Sequence, residues 1–219
     1  SNGFTTVVRD QQDAMAGTSS RYTIKDFGMI TGGKRAVNLA ATLGSSVHSL
    51  KVQNQIECAV DLRFALLADV KKVLITNPVK DGIRVGVGDW PGASQSNSAS
   101  NGTILEQVRV NNQRISNIAF YVHASNGVRL LNCTSEGGGP NYDLVVTCAD
   151  IVERDGLRCP ELEPGYSQNS VVKGFNCTGF HSEGLDAKKA NVYVNMPSRV
   201  PTVFSECYFE GNGKAPIFE

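Results

Sequence analysis

The sequence predicts an all-β protein in which short parallel strands are stacked on one another, and three observations lead to this prediction. An aliphatic residue recurs with an Asn or another small or polar residue four positions later. Apolar and polar residues alternate inside several of these units, as in a strand with one buried face. Four of the six intervals between successive units are 20 to 23 residues long, which suits one circuit of a repeating fold.

The repeated unit occurs seven times, and five of the seven units end in Asn. The units are Leu50 to Asn54, Val73 to Asn77, Val108 to Asn112, Val128 to Asn132, Ile151 to Asp155, Val172 to Asn176 and Val203 to Cys207. Asn tolerates the left-handed backbone of a tight bend, and its side-chain amide can bond to an Asn one layer away. We therefore expect the units to lie directly on top of one another, with Val73, Val128 and Val172 along one axis.

Stacked Asn residues of this kind resemble the asparagine ladders of the pectate-lyase-like superfamily, and the resemblance covers roughly Thr23 to Phe209. It implies an all-β fold, a single-stranded right-handed parallel β-helix, over residues 23–219. Residues 1–22 are expected to form a capping segment, in which Val7 to Ala16 form a short helix over the open end of the solenoid. The alternative is a β-sandwich, which also has short strands at regular spacing but does not place its turn residue at a constant offset.

Two long intervals between units indicate inserted loops. The first covers about residues 86–103, which are rich in Gly, Ser and Asn. The second covers residues 196–201, where Pro197 and Pro201 would deny a sheet its N–H donors.

Charge and composition narrow the classes of function. The 21 basic and 21 acidic residues cancel, so no global field favours nucleic acid, and no apolar run is long enough to insert into a membrane. The chain starts without Met and without a signal-peptide pattern, so a processed or excised chain is expected. The six Cys residues form no C-x-x-C pair, which argues against a zinc ribbon and a thioredoxin-like site. Because a chain of this size can build a core of its own, we expect buried free thiols rather than three disulfides.

Catalytic motifs are sparse. The polygalacturonase strings Asn-Thr-Asp, Asp-Asp, Gly-His-Gly and Arg-Ile-Lys do not occur, and the pectate-lyase string is approached only at Arg158-Cys159-Pro160, with Glu163 where Arg is required. A glycosidase needs only two suitably spaced carboxyl groups. The candidates in polar or Gly-rich stretches are Glu136, Asp143, Glu183 and Asp186, and simple solvated turns are the alternative. No metal site and no cofactor are expected.

Candidate ligand-binding residues fall into two groups. Trp90 and Asp89 lie in the first inserted loop, and Tyr142 follows a Gly-rich turn, so either aromatic ring could stack on a sugar. Trp90 could instead fold back over the flank of the helix. Lys51, Arg109, Arg129 and Lys173 are expected on one outer face, with Arg109 and Arg129 on adjacent strands. Such a face would suit an acidic polysaccharide or would simply be solvated.

The Asn-rich repeat, the polar excursions and the lack of an enzyme motif resemble bacteriophage tailspikes and related receptor-binding virion proteins. The resemblance implies a homotrimer that binds host surface polysaccharide, has other virion proteins as partners, and is located in the virion or outside the cell. A polysaccharide depolymerase that uses a carboxylate pair and a purely structural virion module are the alternatives. Fold-level likeness alone does not choose among them.

Overall fold

The computed structural model describes residues 4–5, 21–88, 99–111, 118–137, 142–147, 151–154, 157–160, 171–178, 190–195 and 202–210. These residues form β-strands and connecting turns, and they contain no helix. The predicted helix from Val7 to Ala16 lies outside them. This part of the chain therefore contains no helix that is long and apolar enough to cross a bilayer.

The strands follow one another at short intervals. In chain order they are β1 (Phe4–Thr5), β2 (Thr23–Lys25), β3 (Met29–Thr31), β4 (Arg35–Asn38), β5 (Thr42–Leu43), β6 (Ser46–Gln53), β7 (Cys58–Arg63), β8 (Ala65–Leu66), β9 (Asp69–Thr76), β10 (Asp81–Gly86), β11 (Ile104–Glu106), β12 (Arg109–Asn111), β13 (Ile118–His123), β14 (Arg129–Leu131), β15 (Thr134–Glu136), β16 (Tyr142–Thr147), β17 (Ile151–Arg154), β18 (Leu157–Pro160), β19 (Val171–Lys173), β20 (Asn176–Thr178), β21 (Ala190–Asn195), β22 (Val203–Ser205) and β23 (Tyr208–Phe209).

Two large parallel sheets carry almost all of these strands. Sheet A has the order β1-β4-β7-β10-β13-β16-β21. Sheet B consists of two adjoining strips: a first strip β2-β6-β9-β11-β14-β19-β22 and a second strip β3-β6-β9-β12-β15-β20-β23, with the long strands β6 and β9 running through both. Each passage of the chain through the first strip, the second strip and sheet A is called a rung here. Stacked parallel rungs of this kind are compatible with the predicted β-helix.

Regular bends separate the two strips. The residue between them has a positive φ in every rung: Asp26 (55°), Ser49 (54°), Lys72 (54°), Gln107 (54°), Asn132 (53°), Gly174 (62°) and Glu206 (55°). A second bend follows the second strip, at Gly32, Asn54, Asn77 and Gly137. The predicted left-handed Asn is therefore found at Asn54 and Asn77 in the second bend and at Asn132 in the first. The rungs of Asn54 and Asn77 are joined by the bond from the Asn54 N–H to the carbonyl of Thr76.

The predicted register is wrong beyond the first three units. Leu50, Val73 and Val108 do lie in consecutive rungs, because β6, β9 and β12 pair in that register. Val73 comes directly after the first bend, however, whereas Val128 and Val172 come before it. The reason is that each of the two bends in a rung is preceded by a buried aliphatic residue, so the same sequence pattern fits either bend. The unit that ends at Asn132 lies at the first bend, and the unit that ends at Asn77 lies at the second.

Three other units also differ from the prediction. Ile151–Arg154 forms an antiparallel hairpin with Leu157–Pro160 and is not a layer of the parallel sheets. Val203 is 47 % exposed, and Phe204 is the residue that pairs with the buried Val172. Asn176 lies inside β20 opposite Thr134 and is not at a bend.

The core lies between sheet A and the two strips of sheet B. It is built from inward-facing aliphatic columns, such as Val47, Val70, Leu105, Leu130 and Val172 in the first strip. A close contact inside it occurs at Gly82, where an added Cβ would overlap the carbonyl oxygen of Ala119. Burying these columns from water is the main driving force for stacking the rungs.

Candidate functional site

An open groove crosses three rungs on the outer surface of sheet B. It has a volume of about 580 Å³, and its walls come from Phe27–Met29, Ser49–Lys51, Lys72 and Leu74. Neighbouring parallel strands lie about 4.8 Å apart, so three rungs span about 10 Å along the stack. The groove therefore offers a surface that is long in the stacking direction and open to an extended ligand.

The first bend positions the side chains of this groove. Ser49 and Lys72 occupy the left-handed bend in two consecutive rungs, each with φ 54°. Leu50 follows the bend and is buried, so Lys51 points outward on the opposite face of the same strand. Lys51 is paired in register with Leu74, which brings one lysine and one aliphatic side chain side by side.

The walls of the groove combine apolar side chains with positive charge. Phe27 is 46 % exposed and Met29 is 61 % exposed, which is high for large apolar residues on a strand or its turn. Within the described part of the chain, neither Lys51 nor Lys72 forms an ion pair. Of the residues in the groove, Lys51 was predicted from the sequence, whereas Phe27, Met29 and Lys72 were not. The available signal was strand alternation, which places Met29 on the outer face when its neighbour Ile30 is buried.

The predicted basic face does not exist as one surface. Arg109 is in register with Thr134, Arg129 with Ile104, and Lys173 with Leu131. The three side chains therefore lie in three different rows of in-register residues along the stack. Arg109 and Arg129 are consequently not cross-strand neighbours. The reason is that Arg109 follows the first bend of its rung, whereas Arg129 precedes the first bend of the next rung.

The basic side chains of that predicted face have different surroundings. Arg109 pairs with Glu136 over 3.6 Å, and Lys173 pairs with Glu206 over 3.1 Å. Arg129 is exposed on β14. Arg109 and Lys173 therefore carry positive charges that neighbouring carboxylates already offset, in contrast to Lys51 and Lys72.

The candidate carboxylates are not brought together where the structure describes them. Glu136 lies on the outer face of β15 beside Arg109. Asp143 lies inside β16 and is fully buried, where its Oδ1 accepts a hydrogen bond from the Ser135 hydroxyl over 2.7 Å. Glu183 and Asp186 lie outside the described residues. A polysaccharide on the surface cannot reach Asp143.

The aromatic candidates also divide into two cases. Tyr142 is buried on the outer side of sheet A and packs edge-on against Tyr193, with ring centroids 5.7 Å apart. It therefore contributes to a second apolar cluster and does not present a free ring face to a ligand. Trp90 and Asp89 lie outside the residues that the structure describes.

A buried charge network on the outer side of sheet A was not predicted from the sequence. Asp61 is fully buried, and both of its oxygens accept bonds from Arg63, at 2.9 Å and 3.0 Å from Nε and 2.6 Å from Nη2. Arg35 adds a contact of 3.2 Å to the same carboxylate and a second one of 3.2 Å to Glu57. Asp61 and Arg63 are two residues apart on one strand, so strand alternation places them on the same face, and this pattern was the available signal for their pairing.

Two further ionisable groups on that face have raised pKa values. Burial, followed by the charges of Asp61 and Asp81, raises the pKa of the Cys58 thiol well above its ordinary value. Burial opposes the charge of Arg84, but Asp81, Tyr121 and Cys58 outweigh it and raise the pKa of the guanidinium, which lies 5.1 Å from the Tyr121 ring centroid. The Cys58 thiol is therefore a poor nucleophile at neutral pH.

Three of the six cysteines can be compared with the expectation of buried free thiols. Cys58, Cys133 and Cys207 are unpaired in the structure, the first two buried. Burial raises the pKa of Cys133 to about 12.

Among the described residues, no three His, Cys, Asp or Glu side chains are arranged to hold a metal ion. Comparisons with protein-family models, with curated proteins and with solved structures find no match to this chain.

Proposed function

We propose that this chain is a right-handed parallel β-helix of the tailspike kind, a virion protein that attaches to its host by binding surface polysaccharide along the groove of sheet B. The observation that carries the proposal is the groove itself, in which large apolar side chains are exposed beside two lysines that form no ion pair among the described residues. A concave surface that combines apolar side chains with a few polar groups has the composition of a ligand-binding site.

The geometry suits a polymer that lies along the stack. The pyranose ring has apolar faces, which pack against aromatic and aliphatic side chains such as Phe27, Met29 and Leu74. Its hydroxyl groups need hydrogen-bond partners, which Ser49 and the two lysines supply at the same surface. A groove that crosses three rungs can contact more than one sugar unit of an extended chain.

Binding without bond cleavage fits this groove better than hydrolysis does. A glycosidase needs two carboxyl groups that flank the scissile bond. Among the described residues that line the groove there is no Asp or Glu. A depolymerase would have to use carboxylates elsewhere, of which Glu183 and Asp186 are the remaining candidates.

A polysaccharide-binding assay tests the proposal. Immobilised bacterial surface polysaccharides would be titrated with the wild-type chain, with Phe27→Ala and with Met29→Ala. We expect a several-fold loss of affinity for both variants, because each removes part of the apolar wall. Ile56→Ala is the matched control, since Ile56 is 55 % exposed but does not line the groove.

The outcomes separate the three functional classes. No binding to any polysaccharide would contradict the proposal and favour a structural virion module. Shortened polysaccharide chains after incubation would favour a depolymerase. The proposed homotrimer predicts a mass in light scattering three times that of one chain, and a monomer would count against the tailspike assignment.

A further inference from the structure

We infer that the polysaccharide bound in the groove is polyanionic, with carboxylate, phosphate or sulfate groups that meet Lys51 and Lys72. The inference rests on the proposed function, since it specifies the ligand of the same groove. It depends on the position of these two lysines, which line the groove together with exposed apolar side chains.

Lys51 and Lys72 lie close together on consecutive rungs. Lys51 is in register with Leu74, and Lys72 precedes Leu74 by two residues. With strands about 4.8 Å apart and a rise of about 3.3 Å per residue, their Cα atoms are separated by roughly 8 Å. Because each ammonium group is carried on a flexible four-carbon stem, both can reach one anionic group bound between them.

Three other lysines on sheet B or beside it have carboxylate partners, whereas Lys25 on β2 and Arg129 on β14 form no ion pair within the described part of the chain. Lys71 contacts both Asp69 and Glu106 over 3.3 Å, Lys173 contacts Glu206 over 3.1 Å, and Lys34 contacts Glu57 over 3.6 Å. In the part of the chain described by the structure, Lys51 and Lys72 have no such partner. The groove therefore brings two lysines without a carboxylate partner in the described residues next to exposed apolar side chains.

The type of cation also indicates the type of ligand. A lysine ammonium is a compact charge on a flexible stem, which can follow anionic groups at variable positions along a polymer. A polysaccharide offers such groups together with apolar ring faces, and the groove has both complements. Single-stranded nucleic acid needs an extended basic track and several stacking rings, whereas the described lining of this groove contains one aromatic residue, Phe27.

Equilibrium binding to defined polymers tests the inference. The acidic probes are hyaluronan, polygalacturonate and polysialic acid, the neutral probe is dextran, and single-stranded oligodeoxynucleotide is the nucleic-acid probe. We expect at least one acidic polymer to bind more tightly than dextran. We also expect this binding to weaken steeply between about 0.05 M and 1 M salt, as the Debye length falls from more than 10 Å to about 3 Å.

Charge-neutral variants assign the effect to the groove. Lys51→Gln and Lys72→Gln should each weaken binding of the acidic polymer by roughly two- to five-fold, the range for exposed ion pairs. Lys34→Gln removes an equal charge outside the groove and should leave the affinity unchanged. Circular dichroism of each variant would establish that the fold is retained.

Each result bears on one of the two claims. If dextran binds as tightly as the acidic polymers, with loss in Phe27→Ala but not in the lysine variants, the inference falls and the polysaccharide-binding proposal stands. Tighter binding of the oligodeoxynucleotide than of every acidic polymer would also overturn the inference. If no polysaccharide binds, acidic or neutral, the proposed function itself fails.

Discussion

Ser135 donates a hydrogen bond from its hydroxyl to Oδ1 of Asp143 over 2.7 Å, and both side chains are fully buried between the second strip and sheet A. In the preceding rung Val110 is in register with Ser135, and Ala119 lies between the residues that are in register with Tyr142 and Leu144. The interior therefore changes from apolar to polar in this rung. A buried polar pair of this kind stabilises the fold only while both members are present.

We predict that Ser135→Ala lowers the free energy of unfolding by about 1 to 3 kcal/mol, because it leaves a buried acceptor without this donor. Urea denaturation followed by circular dichroism measures the change. Ser46→Ala is the control, since its hydroxyl bonds to Thr23 at an exposed position. Equal effects of the two substitutions would show that the buried bond contributes little.

Gly82→Ala should destabilise the protein by about 1 to 3 kcal/mol or more, the usual effect of overpacking a core. An added Cβ would overlap the carbonyl oxygen of Ala119 and lie 3.0 Å and 3.1 Å from the two methyl groups of Val110. Gly28→Ala provides the comparison, because a Cβ there meets no atom within 4 Å. A thermal-melting series in which the two variants behave alike would contradict the close packing of sheet A against the second strip.

Asp61→Asn should lower the free energy of unfolding by about 3 to 5 kcal/mol, because it leaves the buried guanidinium of Arg63 without its anion. Glu57→Gln removes the half-exposed partner of Arg35 and Lys34 and should cost less than about 1 kcal/mol. The double variant Asp61→Leu/Arg63→Met should recover part of the loss, since it removes both buried charges. If Asp61→Asn costs no more than Glu57→Gln, the network is not important for stability.

The stability of the fold should fall at alkaline pH in a manner that depends on Cys133. Its pKa is raised by burial from 9.0 to about 12, so the thiol ionises in the unfolded chain before it does so in the folded one. Its contribution to stability is therefore complete below about pH 9 and is lost as the pH rises toward about 12. Urea midpoints at about pH 8 and about pH 10.5 should differ more in the wild-type chain than in Cys133→Ala. Identical differences in the two proteins would contradict a buried, neutral thiol.

Part of the architecture could be derived from local sequence alone. Alternation of apolar and polar residues identifies strands with one buried face, and Leu50, Val73, Val108, Val128 and Val172 are all buried as that pattern requires. The left-handed bends at Asn54 and Asn77 follow from the tolerance of Asn for positive φ. These features depend on one residue and its immediate neighbours, which is why the amino-acid pattern was sufficient to find them.

Tertiary structure decided the register, the groove and the buried charges. The same local pattern precedes both bends of a rung, and several bends are occupied by residues such as Lys72 and Gln107, which carry no turn signal of their own. Only hydrogen bonding between rungs distinguishes the two bends, and it determines that Lys51 lies beside Leu74 and that Arg109 is separated from Arg129. Inward or outward orientation is a local property of a strand, whereas the identity of its neighbour depends on the length of chain between the two strands.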